Sequence, residues 1–379
     1  MTTSSTPVPV PGATSSTSPR AYLLNGGSLD ELKSKYAITA RRHATYTNLV
    51  SLKYHQIESP MGEPIVQQCR GIVLDQDDDW RIVSRPFDKF FNYGEGHAAP
   101  IDWSTAQVLE KLDGSLMSMY WYDGDWQVAS SGTPDAGGDV NGNQMTFADL
   151  FWSVHDELGY ARPANPENTY MFELMTRYNR VVVPHAKNRL VLIGIRHTES
   201  GAEESVHAPS NITWERVRTF PLQSFADVER TFATLDPLHQ EGYVVVDAVF
   251  RRVKVKHPGY VAIHHMRDGF GPKAALEIVR SGETSELLTH FPEWRGDVEA
   301  TRAKFDALVA EVEADYARLH DIPVQKDFAL QAVKTRYSPA LFAMRAGKAE
   351  SFRRFFADVR INALMELLGM RDGGSNETP

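Results

Sequence analysis

Val108-Leu109-Glu110-Lys111-Leu112-Asp113-Gly114-Ser115-Leu116-Met117 decides how this chain is read. Apolar, β-favouring residues flank the lysine on both sides, so it is expected at the end of one strand, on a tight connection into the next. A lysine followed by an acid and a glycine suits a nucleophile that must meet a triphosphate. A free amine with a pKa near ~10.4 is protonated at neutral pH, and only neighbouring cations or desolvation make it available for attack. Further cations should therefore converge on Lys111.

Upstream, Cys69-Arg70-Gly71-Ile72-Val73-Leu74-Asp75 and Trp80-Arg81-Ile82-Val83-Ser84 flank a polar turn and predict a hairpin with Arg70 at its mouth. The stretch from Arg85 to Glu95 interleaves Lys89 with Phe87, Phe90, Phe91 and Tyr93 on an expected loop. Such a mixture can stack on a base and attract a phosphate, although a buried aromatic cluster with solvated cations has the same composition. Farther upstream, Leu29-Asp30-Glu31-Leu32 reads as a short helix and Leu49 to Tyr54 as a strand.

Downstream, Asp123-Gly124 predicts a hairpin turn into Trp126–Ser130, and a glycine-rich segment leads to a helix over Met145–Leu158. The strand Tyr170–Leu174 places Glu173 on the face opposite Phe172, and Arg180–Val183 and Leu190–Ile195 are expected to continue the sheet. In the strand that ends Val253-Lys254-Val255-Lys256, the two lysines share a face while the valines point into packing. Two lysines aimed at one spot make a phosphate clamp; a solvated strand face is the plainer alternative.

Beyond about Arg267 the periodicity becomes helical. Phe305, Leu308, Val309, Val312, Tyr316 and Leu319 form one apolar stripe, and Phe352, Phe355, Phe356, Val359, Leu364 and Leu367 another. Arg345, Lys348, Arg353, Arg354 and Arg360 leave a basic flank able to touch RNA, or simply solvated.

A length of 379 residues leaves room for two domains, and the net charge of −9 confines any polyanion site to a local basic cleft in an acidic body. Cys69, the one cysteine, excludes an intramolecular disulfide and fits a reducing, cytoplasmic setting. No apolar run approaches the roughly 18 residues of a membrane span, and no signal pattern opens the chain. His257, His264 and His265 lack zinc-ligand spacing. The expected organisation is α+β: a tail over 1–20, an antiparallel-sheet domain over 21–266, an all-helical domain over 267–370 and a tail over 371–379.

The motifs are more specific together than singly. Cys-Arg-Gly-Ile-Val at 69–73, Lys89-Phe90-Phe91-Asn92, Lys111-Leu112-Asp113-Gly114, Phe172-Glu173 followed by Asn179-Arg180-Val181-Val182, Glu241-Gly242-Tyr243-Val244 and Lys254-Val255-Lys256 occur in this order. That order resembles the T4 RNA ligase 1-like family of ATP-dependent RNA ligases, within the covalent nucleotidyltransferases. The resemblance implies a nucleotidyltransferase (adenylation) domain and a ligase that joins 5′-phosphate and 3′-hydroxyl ends of single-stranded RNA, acts in RNA repair and works as a monomer. It implies ATP as AMP donor and Mg²⁺, with Mn²⁺ as a substitute. Lys111 would become the lysyl-adenylate. Arg70 and Lys89 would hold the nucleotide and its phosphates, with Phe91 packing nearby. Glu173 would bind on the ribose side or help position the lysine, Glu241 would support the metal, and Lys254 and Lys256 would contact the α-phosphate. Tyr260 corresponds to an aromatic beside that strand.

One word departs from the pattern. Ala129-Ser130-Ser131-Gly132 lacks the basic residue that many relatives carry before this glycine. Two other readings stay open: a DNA ligase or capping enzyme, which would append the short strands of an OB-fold, and a non-catalytic RNA-end-binding protein built on a degenerate ligase domain.

Overall fold

The structure is a computed structural model that describes residues 18–208, 213–265 and 270–370. Contacts divide the chain into two units, Met1–Tyr260 and Val261–Pro379. Of the expected tails, residues 1–17 and 371–379 lie outside the described residues, as does the expected domain boundary at 266.

In the first unit, helix α1 (Pro19–Leu24) begins within the stretch expected to be tail. Ser18 Oγ accepts the Ala21 N–H at 3.1 Å, and proline opens the helix. Helix α2 (Leu29–Tyr36) starts at a capping box between Ser28 and Glu31. Strands β1 (Ile38–Arg42), β2 (Leu49–Tyr54), β3 (Arg70–Asp75) and β4 (Arg81–Ser84), with α3 (Pro64–Gln68) between β2 and β3, pair antiparallel in that order. Leu32, Val50, Leu52, Ile72 and Leu74 bury the face they share with the helices.

Next come β5 (Phe91–Asn92), β6 (Gln107–Lys111), β7 (Ser115–Tyr122) and β8 (Asp125–Ser130). The β7–β8 turn has positive φ at Asp123 and Gly124, as a two-residue hairpin requires. Helix α4 (Phe147–Glu157) buries Leu150, Phe151 and Val154, whereas Leu158, expected on that stripe, is exposed. Strands β9 (Asn168–Met175), β10 (Arg189–His197), β11 (Glu203–Glu204) and β12 (Thr219–Phe220) follow, then α5 (Phe225–Thr231), β13 (Gly242–Val246) and β14 (Arg252–Lys256).

These strands form two more sheets, ordered β11-β10-β9-β7-β8 and β12-β6-β13-β14-β5. All their pairings are antiparallel except β14 with β5. One expectation gains a detail here and one changes. The tight connection after Lys111 joins strands of different sheets: β6 pairs with β13, while β7 pairs with β8 and β9. Residues 112–114 thus cross between sheets. Only glycine fits at 114, where a Cβ would lie 2.4 Å from the Leu174 carbonyl oxygen. Arg180–Val183 is not a strand either, because two of its N–H groups are taken by the Asp113 side chain.

Helix α6 (Pro258–His265) contains the division between the units. The described elements of the second unit are helical: α7 (Pro272–Ser281), α8 (Thr284–His290), α9 (Arg295–Leu319), α10 (Gln325–Ala332), α11 (Ser338–Arg345), α12 (Phe352–Asp358) and α13 (Ile361–Leu367), with a single 3₁₀ turn between α8 and α9. Phe305, Leu308, Val309, Val312 and Leu319 on α9 pack in its core with Phe328, Phe356 and Leu364. The second predicted stripe is split between α12 and α13, since Val359 turns extended at ψ 144°. Part of the predicted basic flank is engaged within the unit. Arg353 bonds Asp306 at 2.6 Å, Arg354 meets Asp358 at 3.3 Å, and Arg345 donates to the Ile322 carbonyl at 2.7 Å.

Candidate active site

Strand register builds the site. Lys111 of β6 lies opposite Gly242 of β13, which lies opposite Lys256 of β14. Two residues along, Leu109, Val244 and Lys254 form a parallel row. Because side chains alternate, both rows project from one face, while Val108, Tyr243, Val245, Val253 and Val255 fill the core behind them. Gly242 is required at the crossing: a Cβ there would lie 2.2 Å from the Val255 carbonyl oxygen and 2.8 Å from Lys256 Cα.

Glu241, just before that glycine, joins the two end lysines. Its Oε2 accepts from Lys111 Nζ at 2.6 Å, and its Oε1 lies 3.3 Å from Lys256 Nζ. The carboxylate is buried at 4% exposure, while the Lys111 side chain keeps 20%. A buried charge needs such partners, and here one carboxylate serves two ammonium groups.

Lys254 contrasts with them. It lies 5.5 Å from the centroid of the Phe90 ring. Desolvation, with Lys89, Lys111, Lys256 and Arg70 nearby, pushes its amine down to about 7. Glu173 reaches the same space from β9, where it pairs opposite Leu116 of β7. Burial pushes its carboxyl up to about 7, against the opposing pull of Lys111. Arg70, at the start of β3, sits over the Phe90 ring at 5.5 Å and keeps a buried Nη1 without a hydrogen-bond partner. Together Arg70, Lys111, Glu173 and Lys254 line a cavity of about 130 Å³ with apolar walls from Phe87, Phe90, Leu109, Leu116, Ile193 and Val244.

Lys89 and Phe91 do not line that cavity. They border a neighbouring one with Asp88, His97, Arg196 and Arg252, and Lys89 Nζ stands over Tyr54 and Phe91 at 5.1 and 5.4 Å. Phe90, not singled out from sequence, faces Lys111's cavity instead; adjacent aromatics in a loop give no periodicity to choose between them. Arg252 was also missed. It bonds Glu203 at 2.5 Å and lies 4.3 Å from the Phe87 ring centre, tying the cavity wall to β11.

Asp113 is the other unassigned residue. Its Oδ2 accepts the N–H groups of Val182 and Val183 at 2.9 and 2.6 Å, and its Oδ1 accepts from Tyr260 Oη at 2.9 Å. His185 Nε2 donates to the Asp113 carbonyl at 2.7 Å. The residue two beyond Lys111 therefore pins a loop and a tyrosine distant in sequence.

The corner Ser130-Ser131-Gly132, which lacks a basic residue of its own, has Lys53 beside it. Lys53 Nζ is 3.9 Å from where a Gly132 Cβ would stand, and Lys53 pairs across the sheet with Arg70. Neighbouring strands supply this cation, so no local motif announces it. Among the described residues no three His, Cys, Asp or Glu side chains gather as a metal cage, and no helix is long and apolar enough to cross a membrane.

With this geometry in view, known proteins place the chain. An RNA ligase family model matches residues 68–260, just over half the chain. An RNA ligase of Rhodothermus phage RM378 is 28% identical over 287 residues, covering 58% of this chain and 65% of the phage protein. RNA ligase 1 of bacteriophage TS2126 is 28% identical over 228 residues, covering 56% and 55%. The chain thus spans less than two thirds of either relative. Among solved structures, an archaeal ATP-dependent RNA ligase is 13% identical, with 77% of this chain and 82% of that chain covered and a TM-score of 0.46. The matched residues run from Gln68, just before the strand of Arg70, to Tyr260 and include Lys111, Glu173, Glu241, Lys254 and Lys256, and by that match the chain belongs to the RNA ligase family.

Proposed function

We propose that the chain is an ATP-dependent RNA ligase that joins 5′-phosphate and 3′-hydroxyl ends of single-stranded RNA through a lysyl-AMP on Lys111. The observation that carries this reading is the Lys111–Glu241–Lys256 row beside a cavity whose polar lining includes Arg70, Glu173 and Lys254. The apolar wall suits the flat face of a base, Glu173 suits a ribose hydroxyl, and the cations suit phosphates.

Glu241 would hold a divalent ion. A single carboxylate joined by substrate phosphates and water is a donor set that Mg²⁺ accepts, and the ion would offset charge on the phosphate oxygens. Lys111 must leave Glu241 and lose a proton; its nitrogen then bonds the α-phosphorus while the bond to pyrophosphate breaks. An arriving phosphate favours the charged form of Lys254, which then stabilises the equatorial oxygens. A 5′-phosphate oxygen of RNA next displaces the lysine nitrogen, which regains a proton. Finally the 3′-hydroxyl attacks the activated 5′-phosphorus, losing its proton as AMP departs.

Helices rather than short alternating strands follow β14 among the described residues, which supports the RNA reading over a DNA ligase or capping enzyme. Repair of broken RNA, tRNA included, by a monomeric cytoplasmic enzyme with an adenylation domain and a helical C-terminal domain completes the proposal. Intact mass after incubation with ATP and Mg²⁺ tests it. Wild-type protein should gain one AMP and the Lys111→Ala variant none; an adduct that survives the substitution refutes the assignment.

A further inference from the structure

On β2, Val50 and Leu52 face the core shared with the helices, so alternation turns Lys53 to the other face, where Leu49, Val73, Tyr120 and Ala129 pack. On β3, Ile72 and Leu74 face that same helical core, and unbroken alternation would send Arg70 after them. The pairing instead runs Leu52 with Ile72 and then Lys53 with Arg70, skipping Gly71, which bulges at φ +91°. One inserted residue reverses the facing. Arg70 therefore reaches the cavity of Lys111, Glu173 and Lys254.

The bulge also brings the corner at 130–132 onto β3. A Cβ at Gly71 would lie 3.0 Å from Ser131 Cα and 3.3 Å from the Ser130 carbonyl oxygen, so only glycine permits the approach. The corner borders the cavity: Ser130 pairs with Met117, one residue beyond the Leu116 that lines it opposite Glu173. Lys53 Nζ stands at this corner, 3.9 Å from the position of a Gly132 Cβ. Lys53 and Arg70 are thus direct cross-strand neighbours of like charge, an arrangement that costs stability and that a bound anion relieves. The buried Arg70 Nη1, which has no hydrogen-bond partner among the described residues, is a donor that a phosphate oxygen would satisfy.

We propose that Lys53 is a phosphate-binding residue, forming with Arg70 a two-cation clamp at the edge of the cavity and supplying the charge that the 130–132 corner lacks. The inference rests on the ligase reading above and deepens it. Two groups offer the oxygens: the pyrophosphate end of ATP, and the RNA 5′-phosphate that enters as pyrophosphate leaves.

Single-turnover assays on full-length protein test the clamp. Lysyl-AMP formation is read across ATP concentration, and AMP transfer is read from pre-formed lysyl-AMP to a 5′-phosphorylated single-stranded RNA oligonucleotide. Lys53→Ala should weaken one or both by about tenfold, the size of one charge-assisted contact, and Lys53→Arg should not. A raised ATP requirement assigns the clamp to pyrophosphate; slower transfer with normal lysyl-AMP formation assigns it to the RNA end. Adding Ser131→Lys to Lys53→Ala should recover most of the loss, because a cation returns to the same corner from the other strand. Wild-type behaviour of Lys53→Ala in both assays overturns the inference. So does a loss that persists in Lys53→Arg and is not repaired by Ser131→Lys, which is the mark of a structural role. Absence of lysyl-AMP in the wild type would be a failure of the ligase reading itself, seen before any variant is compared.

Discussion

Two walls meet at Lys111 and are positioned by different physics. On one side, Lys111, Gly242 and Lys256 are aligned by backbone register across three strands, so their spacing follows from ladder geometry. On the other, the loop at 180–188 has no ladder, and one carboxylate, Asp113, fixes its placement. A register-built wall spreads its support over many hydrogen bonds, whereas the pinned wall concentrates it in one side chain. The first should tolerate loss of a side chain structurally and fail chemically; the second should do the reverse.

The sharpest way to break that contrast is Asp113→Ala. It orphans the Val182 and Val183 N–H groups, each costing roughly 1–3 kcal/mol, and removes the bond from the Tyr260 hydroxyl, so chemical denaturation should show a loss on the order of 4 kcal/mol. A loss near zero would mean that the loop holds itself. Glu241→Ala tests the other wall. Lysyl-AMP formation should fall about 100-fold with the fold retained by circular dichroism, because the ladder at Gly242 needs no glutamate side chain.

Lys254→Met sharpens the comparison within the register-built wall. The Lys254 amine is lowered to about 7 from 10.5, so between these values the folded chain binds fewer protons than the unfolded one and its stability rises with pH. The cost of burying the charge is thus fully felt below pH 7 and gone above about 10.5. The variant should melt higher than wild type at pH 6, by on the order of 5 °C, and the gap should close as pH rises towards 10. Glu173 acts with the same sign of cost but the opposite slope: its carboxyl is raised to about 7, so its contribution to stability falls as pH climbs from 4.5 to 7. Tyr260→Phe gives the smallest effect. It removes one of the three bonds to the Asp113 side chain, and a melting shift equivalent to about 1 kcal/mol is expected.

Much of the fold was legible because it is local. Alternation marked the β3–β4 and β7–β8 hairpins, and Lys254 and Lys256 do share a face with the valines buried behind them. The helical stripe of α9 packs as its spacing predicts. Arg180–Val183 misled for a physical reason: three β-branched residues in a row favour a strand, but their N–H groups had a better acceptor in Asp113, remote in sequence. The same limit hid the sheet change after Lys111, since apolar runs on both sides of a short connection look alike whether the strands pair or part.

By itself, the sequence determined which residues are the candidates for the chemistry: a lysine, two glutamates and a Lys-x-Lys pair in a fixed order, each set by its own type and its strand's alternation. Only the tertiary structure decided which of them touch. Glu241 joins Lys111 across 130 positions, Lys254 lies by the Phe90 ring while Lys256 reaches Glu241, Phe90 rather than Phe91 faces the cavity, and Lys53 covers a corner that lacks its own cation. Charge pairing, burial and the pKa shifts they cause depend on distances through space, and those are fixed by packing between strands that the chain order leaves far apart.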